Sequence, residues 1–138
     1  MNENSADIEV KLVQALRSFF PDLLAVYRFG SWQTPAERPA SDIDLAVLPA
    51  RPLDNVHRWE VAQRLSALAG RNVDLVDLLA ASTVLRMQVV GHGVCLFRAD
   101  ENAVATFEDM VFSAYCRFNL ERREILEDIR RRGNVYGS

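Results

Sequence analysis

Residues 41–48 read Ser-Asp-Ile-Asp-Leu-Ala-Val-Leu, and no other run constrains the fold as tightly. Ile43, Leu45 and Val47 alternate with Asp42 and Asp44, the two-residue period of a strand with one buried face. Both aspartates then face one way and the apolar residues the other. Aspartate is depleted in strands and costly to bury without a partner, so a core strand carrying two on one side calls for a reason beyond packing.

The neighbouring segments build a sheet around this strand. Ile8, Leu12, Leu16 and Phe19 recur at helical spacing over residues 6–20, with Asn4 or Ser5 as cap and Pro21 as stop. Residues 24–29 read as a strand ending at Gly30-Ser31, and residues 43–48 as a second strand closed by Pro49. Asp54 caps an expected helix whose buried stripe is Val56, Trp59, Ala62 and Leu65, with Gly70 as its left-handed stop. Residues 72–76 form a third strand. Asp77 or Ser82 opens a helix carrying Leu85 and Val89, with Asp77 favoured as a cap because it falls in phase with the apolar positions. Residues 94–98 form a fourth strand. One long helix is expected over about 102–132, with Val104, Phe107, Val111, Ala114, Phe118, Ile125 and Ile129 inward and the tail from Gly133 frayed. The order α-β-β-α-β-α-β-α implies one α/β (α+β) domain over residues 1–138, a small mixed sheet covered by helices, its core at about 24–98.

Composition narrows the class. A chain of 138 residues, 49% hydrophobic and 25% charged, can bury a core without staples. Its net charge of -3 carries no signature of direct nucleic-acid binding. Cys95 and Cys116 lack metal-site spacing and are expected to be reduced core thiols. The polar, acidic start is unlike a signal peptide, and no apolar run reaches bilayer length, so a cytoplasmic protein without membrane contact is expected.

Two carboxylates two residues apart on one face repel each other, and a bound cation removes that penalty. Mg²⁺ suits such a site, taking hard oxygens from one or two carboxylates and completing its shell with water and phosphate. In Asn72-Val73-Asp74-Leu75-Val76-Asp77, Asp74 points away from the core face of Val73 and Leu75. If the strands are neighbours, Asp74 joins Asp42 and Asp44, and three such carboxylates can hold two ions roughly 3.5–4 Å apart for an in-line phosphoryl displacement. Gly30-Ser31 adds a tight turn whose amides can form a nest for phosphate oxygens, with the Ser31 hydroxyl as a further donor.

Gly30-Ser31, ten intervening residues, then Asp42-x-Asp44 together resemble the signature of the DNA polymerase β-like nucleotidyltransferases, and more narrowly of the minimal nucleotidyltransferase (MNT) proteins. The flanking Phe29, the exit Asp42-Ile43-Asp44-Leu45-Ala46-Val47 and the later Val73-Asp74-Leu75-Val76-Asp77 fit the same pattern. The resemblance is close over about residues 24–97. It implies the polymerase β-like fold, a triphosphate bound by Gly30 and Ser31, and Mg²⁺ held by Asp42, Asp44 and Asp74, the catalytic residues. It also implies the antitoxin role of HEPN/MNT toxin–antitoxin pairs. There the MNT protein transfers AMP from ATP to a tyrosine hydroxyl of a HEPN ribonuclease toxin and neutralises it. ATP rests on this resemblance alone, since nothing in the triphosphate signature reads adenine. One departure stands out: many relatives follow Gly-Ser with an Arg-rich turn, whereas this chain has Trp32-Gln33-Thr34-Pro35, leaving Arg28 or Arg38 as substitute phosphate contacts.

Three other readings compete. A binding-only antitoxin would mask its toxin through the long C-terminal helix, with Tyr115, Phe118 and the charged run from Glu121 to Arg132. Aminoglycoside-type nucleotidyltransferases share the core but generally carry a further helical domain, whereas this chain spends its last third on one helix. The spacings Arg51 to His57 and Arg86 to His92 resemble a HEPN ribonuclease motif, but HEPN domains are all-helical and this chain has strand signals.

Overall fold

A computed structural model of the protein describes residues 4–38 and 41–136, with side chains as far as Arg132. Helix α1 (Ser5–Phe19) starts where the Asn4 side chain accepts from the amides of Ala6 and Asp7. Strands β1 (Ala25–Phe29) and β2 (Ile43–Leu48) follow, then α2 (Asn55–Ala69), β3 (Val73–Asp77), α3 (Thr83–His92), β4 (Val94–Arg98) and α4 (Glu101–Tyr136). The sheet order is β3-β2-β1-β4, with β2 and β3 parallel and β1 antiparallel to both β2 and β4. Only the β2–β3 pair is parallel, because α2 carries the chain back to the starting end of the sheet before β3 begins.

Strand alternation divides the core between the two faces. Ile43, Leu45 and Val47 of β2 pack with Val73 and Leu75 of β3 under Leu12 and Leu16 of α1 and Val61, Ala62 and Leu65 of α2. Ala46 and Leu48 of β2 pack with Ala25 and Tyr27 of β1 under Val89 of α3 and Val104, Phe107 and Val111 of α4. On this second face the Tyr27 hydroxyl donates to Glu108 Oε2 (2.9 Å), while Arg98 pairs with Glu108 (3.1 Å) and Glu101 (3.2 Å). That polar cluster ties α4 across β1 and β4.

Several sequence expectations shift. Val56 and Trp59 are 63% and 61% exposed, and the buried stripe of α2 is Val61, Ala62 and Leu65. Val56 and Trp59 face outward, while Arg58 reaches β3 and donates from Nη1 to the Leu75 carbonyl (2.7 Å). In α4 burial stops at Val111; Phe118, Ile125 and Ile129 are exposed, since the helix outruns the sheet it packs on. At about 1.5 Å per residue the helix is roughly 54 Å long, far longer than a five-residue strand. It also continues through residues 133–136, where fraying was expected. Cys95 is half-buried and Cys116 exposed, both unpaired, so Cys116 is no core thiol.

Asp77 does not cap α3; Ser82 does, its hydroxyl accepting from the Leu85 amide (3.1 Å). Asp77 is buried at the end of β3, where Oδ2 accepts from the Leu53 amide (2.8 Å) and Oδ1 from the Leu79 amide (2.9 Å). It clamps the loop after β2 to the loop after β3. Among the described residues, no helix is long and apolar enough to cross a membrane.

Candidate active site

β1 delivers the glycine turn, and β2 and β3 the carboxylates, to one end of the strands. In the antiparallel register Phe29 stands opposite Asp44, and in the parallel register Asp44 stands beside Asp74. Phe29, Asp44 and Asp74 therefore form one row across three strands, on the face that carries α3 and α4. Asp44 is half-buried and Asp74 exposed. Asp42 precedes β2 by one residue, is exposed, and extends the same alternation. The expected juxtaposition of Asp74 with the Asp-x-Asp pair is present.

The three carboxylates interact electrostatically. Asp44 is pushed above the ordinary carboxylate range, first by its partial burial and then by the negative charges of Asp74 and Asp42. Among the described residues, no three carboxylate, imidazole or thiol side chains converge as a ready-made ion cage. The donor set nevertheless fits a hard divalent cation. It consists only of carboxylate oxygens, two of them solvent-facing, and its mutual repulsion is the penalty such an ion relieves.

Gly30 touches this cluster. Its φ of +77° lies in the left-handed region, and a Cβ placed there would fall 2.2 Å from Asp44 Oδ2. Both conformation and space therefore require glycine, and the Gly30-Ser31 turn abuts the Asp44 carboxylate. Ser31 follows, half-buried, its carbonyl accepting from the Thr34 amide (3.0 Å) and the Thr34 hydroxyl.

The departure at Trp32-Gln33 has a structural explanation. Trp32 is fully buried in the core beneath α1 and α2, its indole N–H without a partner. Arg28 is committed to Glu9 and Gln33 on the α1 face and so is not aimed at the carboxylates. Arg38 is exposed, and Pro39 and Ala40 after it lie outside the described residues.

One contributor had no sequence signal. Arg71, just after α2, donates from Nε to the Ser41 carbonyl (3.0 Å) and from Nη2 to the same oxygen, and pairs with Glu37 (3.2 Å). It holds the residue before Asp42 across a separation of 30 positions. An apolar hollow of about 280 Å³ lined by Phe20, Leu23, Leu53 and His57 lies at the opposite end of β2, beside Pro49, and has no part in this cluster.

A mixed sheet presenting a glycine-serine turn against in-register aspartates defines a nucleotidyltransferase of the polymerase β type. Residues 11–102 match the family described as Polymerase beta, Nucleotidyltransferase, and the chain belongs to it. Within that family it is 40% identical over 129 residues to the protein adenylyltransferase MntA of Shewanella oneidensis, spanning 94% of this chain and 88% of that protein. Its fold matches the crystal structure of a toxin–antitoxin with AMP-PNP at TM-score 0.79 and 41% identity, over 88% of this chain and 97% of the matched one. A tri-AMPylated Shewanella oneidensis HEPN toxin in complex with MNT antitoxin matches at TM-score 0.77 and 40% identity, over 90% and 97%.

Proposed function

We propose that this protein is an antitoxin that transfers AMP from ATP to a tyrosine hydroxyl of a cognate HEPN ribonuclease toxin, neutralising it. The observation that carries the reading is the contact between Gly30 and Asp44, which sets a phosphate-binding turn against the central carboxylate of the Asp42, Asp44 and Asp74 cluster. Similarity to a protein adenylyltransferase along nearly the whole chain supports the choice of substrate.

The amides around Gly30 and the Ser31 hydroxyl hold the β- and γ-phosphates of ATP. Asp42 and Asp44 would ligate two Mg²⁺ ions and Asp74 one of them. When bound, the ions neutralise triphosphate charge and acidify the attacking hydroxyl. The tyrosine oxygen forms a bond to the α-phosphorus as the bond to the bridging oxygen breaks, and pyrophosphate leaves. Asp74, exposed at the cluster's edge, takes the tyrosine proton. The protein's contribution is alignment and charge placement. With ATP as donor and both thiols unpaired, we place the reaction in the cytoplasm.

A binding-only antitoxin is the alternative. The stretch of α4 beyond Val111 exposes Phe118, Leu120, Ile125 and Ile129, which suits partner contact. One pair of assays separates the two. The Asp42→Ala/Asp44→Ala double variant should lose incorporation of labelled AMP into the co-purified toxin and should fail to neutralise it at equal stoichiometry. Loss of transfer with full neutralisation would select masking, and retained transfer would overturn the catalytic assignment.

A further inference from the structure

The turn bearing Gly30-Ser31 is braced from the face opposite the carboxylates. Arg28 Nη1 donates to Glu9 Oε2 (3.0 Å) and to Gln33 Oε1 (2.7 Å). Gln33 Nε2 in turn donates to the same Glu9 oxygen (2.8 Å) and to the Ser5 carbonyl (3.2 Å). Arg28, Glu9 and Gln33 thus close a triangle between the end of β1, the first turns of α1 and the far side of the glycine turn. Arg28 and Glu9 are only 15% and 24% exposed, which shields the triangle from competing water.

Gln33 also sits at φ +61°, the one non-glycine residue with positive φ among the described residues. A side chain in that region is unfavourable, and it persists where the surroundings over-determine it. Here both ends of the Gln33 amide are bonded, and Trp32, one residue earlier, is anchored in the core on the same face. Between these anchors and the Arg28 bracket lie only Phe29, the last residue of β1, and then Gly30 and Ser31, whose amides and hydroxyl face the nucleotide on the proposed function.

We propose that Gln33, held by Glu9 and Arg28, is a positioning residue for the nucleoside triphosphate. It fixes the orientation of the Gly30-Ser31 amides from behind, where an Arg-rich turn would have contacted phosphate directly. This inference rests on the proposed reading of Gly30 and Ser31 as the phosphate site. It assigns Arg28 to the brace and removes it from the phosphate contacts.

The test separates binding from turnover. AMP-PNP affinity is measured by calorimetry with the full-length protein and Mg²⁺, and KM for ATP and kcat by AMP transfer to the co-purified toxin. Gln33→Ala and Glu9→Ala should each weaken AMP-PNP binding and raise KM by about tenfold while kcat changes less than about twofold, the pattern of lost ground-state alignment. Glu9→Gln, which keeps an acceptor for both donors, should restore most of what Glu9→Ala loses. Asp77→Ala serves as a fold-destabilising control outside the site and should leave KM unchanged in the folded fraction. Wild-type affinity and KM in both Gln33→Ala and Glu9→Ala would overturn the brace, as would an equal KM increase in Asp77→Ala. Failure of the wild-type protein itself to bind AMP-PNP would overturn the underlying assignment of the phosphate site.

Discussion

Replacing Gly30 by alanine separates the cost of a backbone conformation from the cost of moving a carboxylate. At φ +77° an alanine pays about 1–2 kcal/mol for the left-handed region. Gly70, the left-handed stop of α2, has almost the same φ of +71° but nothing within 4 Å of where its Cβ would stand. Gly70→Ala therefore reports the backbone cost alone, a Tm fall of about 3–10 °C for a chain of this size. At Gly30 the new methyl would meet Asp44 Oδ2 at 2.2 Å, whereas carbon and oxygen in close contact stand about 3.3 Å apart, so the carboxylate must retreat by about 1 Å. A terminal carboxylate rotates at small cost, so the two variants should melt at similar temperatures. Their activities should not be similar, because a displacement of about 1 Å at a reacting centre costs about 100-fold, or about 2.7 kcal/mol of transition-state stabilisation. The assays are thermal unfolding by circular dichroism and kcat/KM for labelled AMP transfer. If Gly30→Ala keeps kcat/KM within about threefold of Gly70→Ala while both lose the same stability, Asp44 is not the central metal-binding carboxylate.

Three further outcomes follow. Because the Asp44 pKa is raised on folding, the native state holds that proton more tightly than the unfolded chain does. In chelator, its contribution to stability is therefore present at low pH and is lost as pH rises from the ordinary carboxylate range through the raised value. Asp44→Asn should accordingly melt higher than wild type at neutral pH without divalent ions, and the gap should close as pH falls below about 4. Mg²⁺ should raise the wild-type Tm and leave that of Asp44→Asn unchanged; equal Tm values for wild type with Mg²⁺ and with chelator would count against an ion at this cluster. Asp77→Ala strands the amides of Leu53 and Leu79 and should cost about 1–3 kcal/mol in chemical denaturation, with transfer per folded molecule intact. Loss of transfer beyond the loss of folded protein would give Asp77 a place in the site that the structure does not assign it.

The residues that could be read from the sequence are those whose signal is local. Ile43, Leu45 and Val47 turn inward and Asp44 outward because a strand has a period of two, and β2 and β4 start and end where their apolar runs do. Asp74 joined Asp44 because α2 is long enough to return the chain for a parallel neighbour. Val56 and Trp59 misled because α2 carries apolar residues around much of its circumference, so the buried side is chosen by what the sheet offers. Gln33, Glu9 and Arg71 were invisible for a different reason. Gln33 meets Glu9 24 positions away and Arg71 meets Ser41 30 positions away, and a polar pair formed across the fold leaves no periodicity in the chain. Asp77 fell between these cases: its phase was right, but its two amide partners came from loops on either side of the strand end.

The division of β2 between two faces bears on which acceptor the site can take. The α1/α2 face is closed along the length of β2, from Ile43 to Val47. The α3/α4 face is closed only from Ala46 onward, so the row containing Asp44 and Asp74 lies at the rim of the packed core. With Asp42 and Asp74 exposed and Asp44 half-buried, the carboxylates form a shallow ledge, in contrast to the enclosed pocket that holds most of a small molecule's surface. A ledge gives little binding energy to a free sugar or drug hydroxyl, which would have to be oriented by walls the ledge does not provide. A tyrosine on a folded partner needs no such walls, because its orientation is fixed by contacts made elsewhere on the two proteins. The exposed apolar residues of α4 beyond Val111 belong to the helix that packs on this same face of the sheet, and they offer area for those contacts. On this reasoning, removing α4 apolar residues such as Phe118 and Ile125 raises KM for the protein acceptor and leaves affinity for AMP-PNP unchanged, whereas in a small-alcohol transferase the acceptor KM would not move.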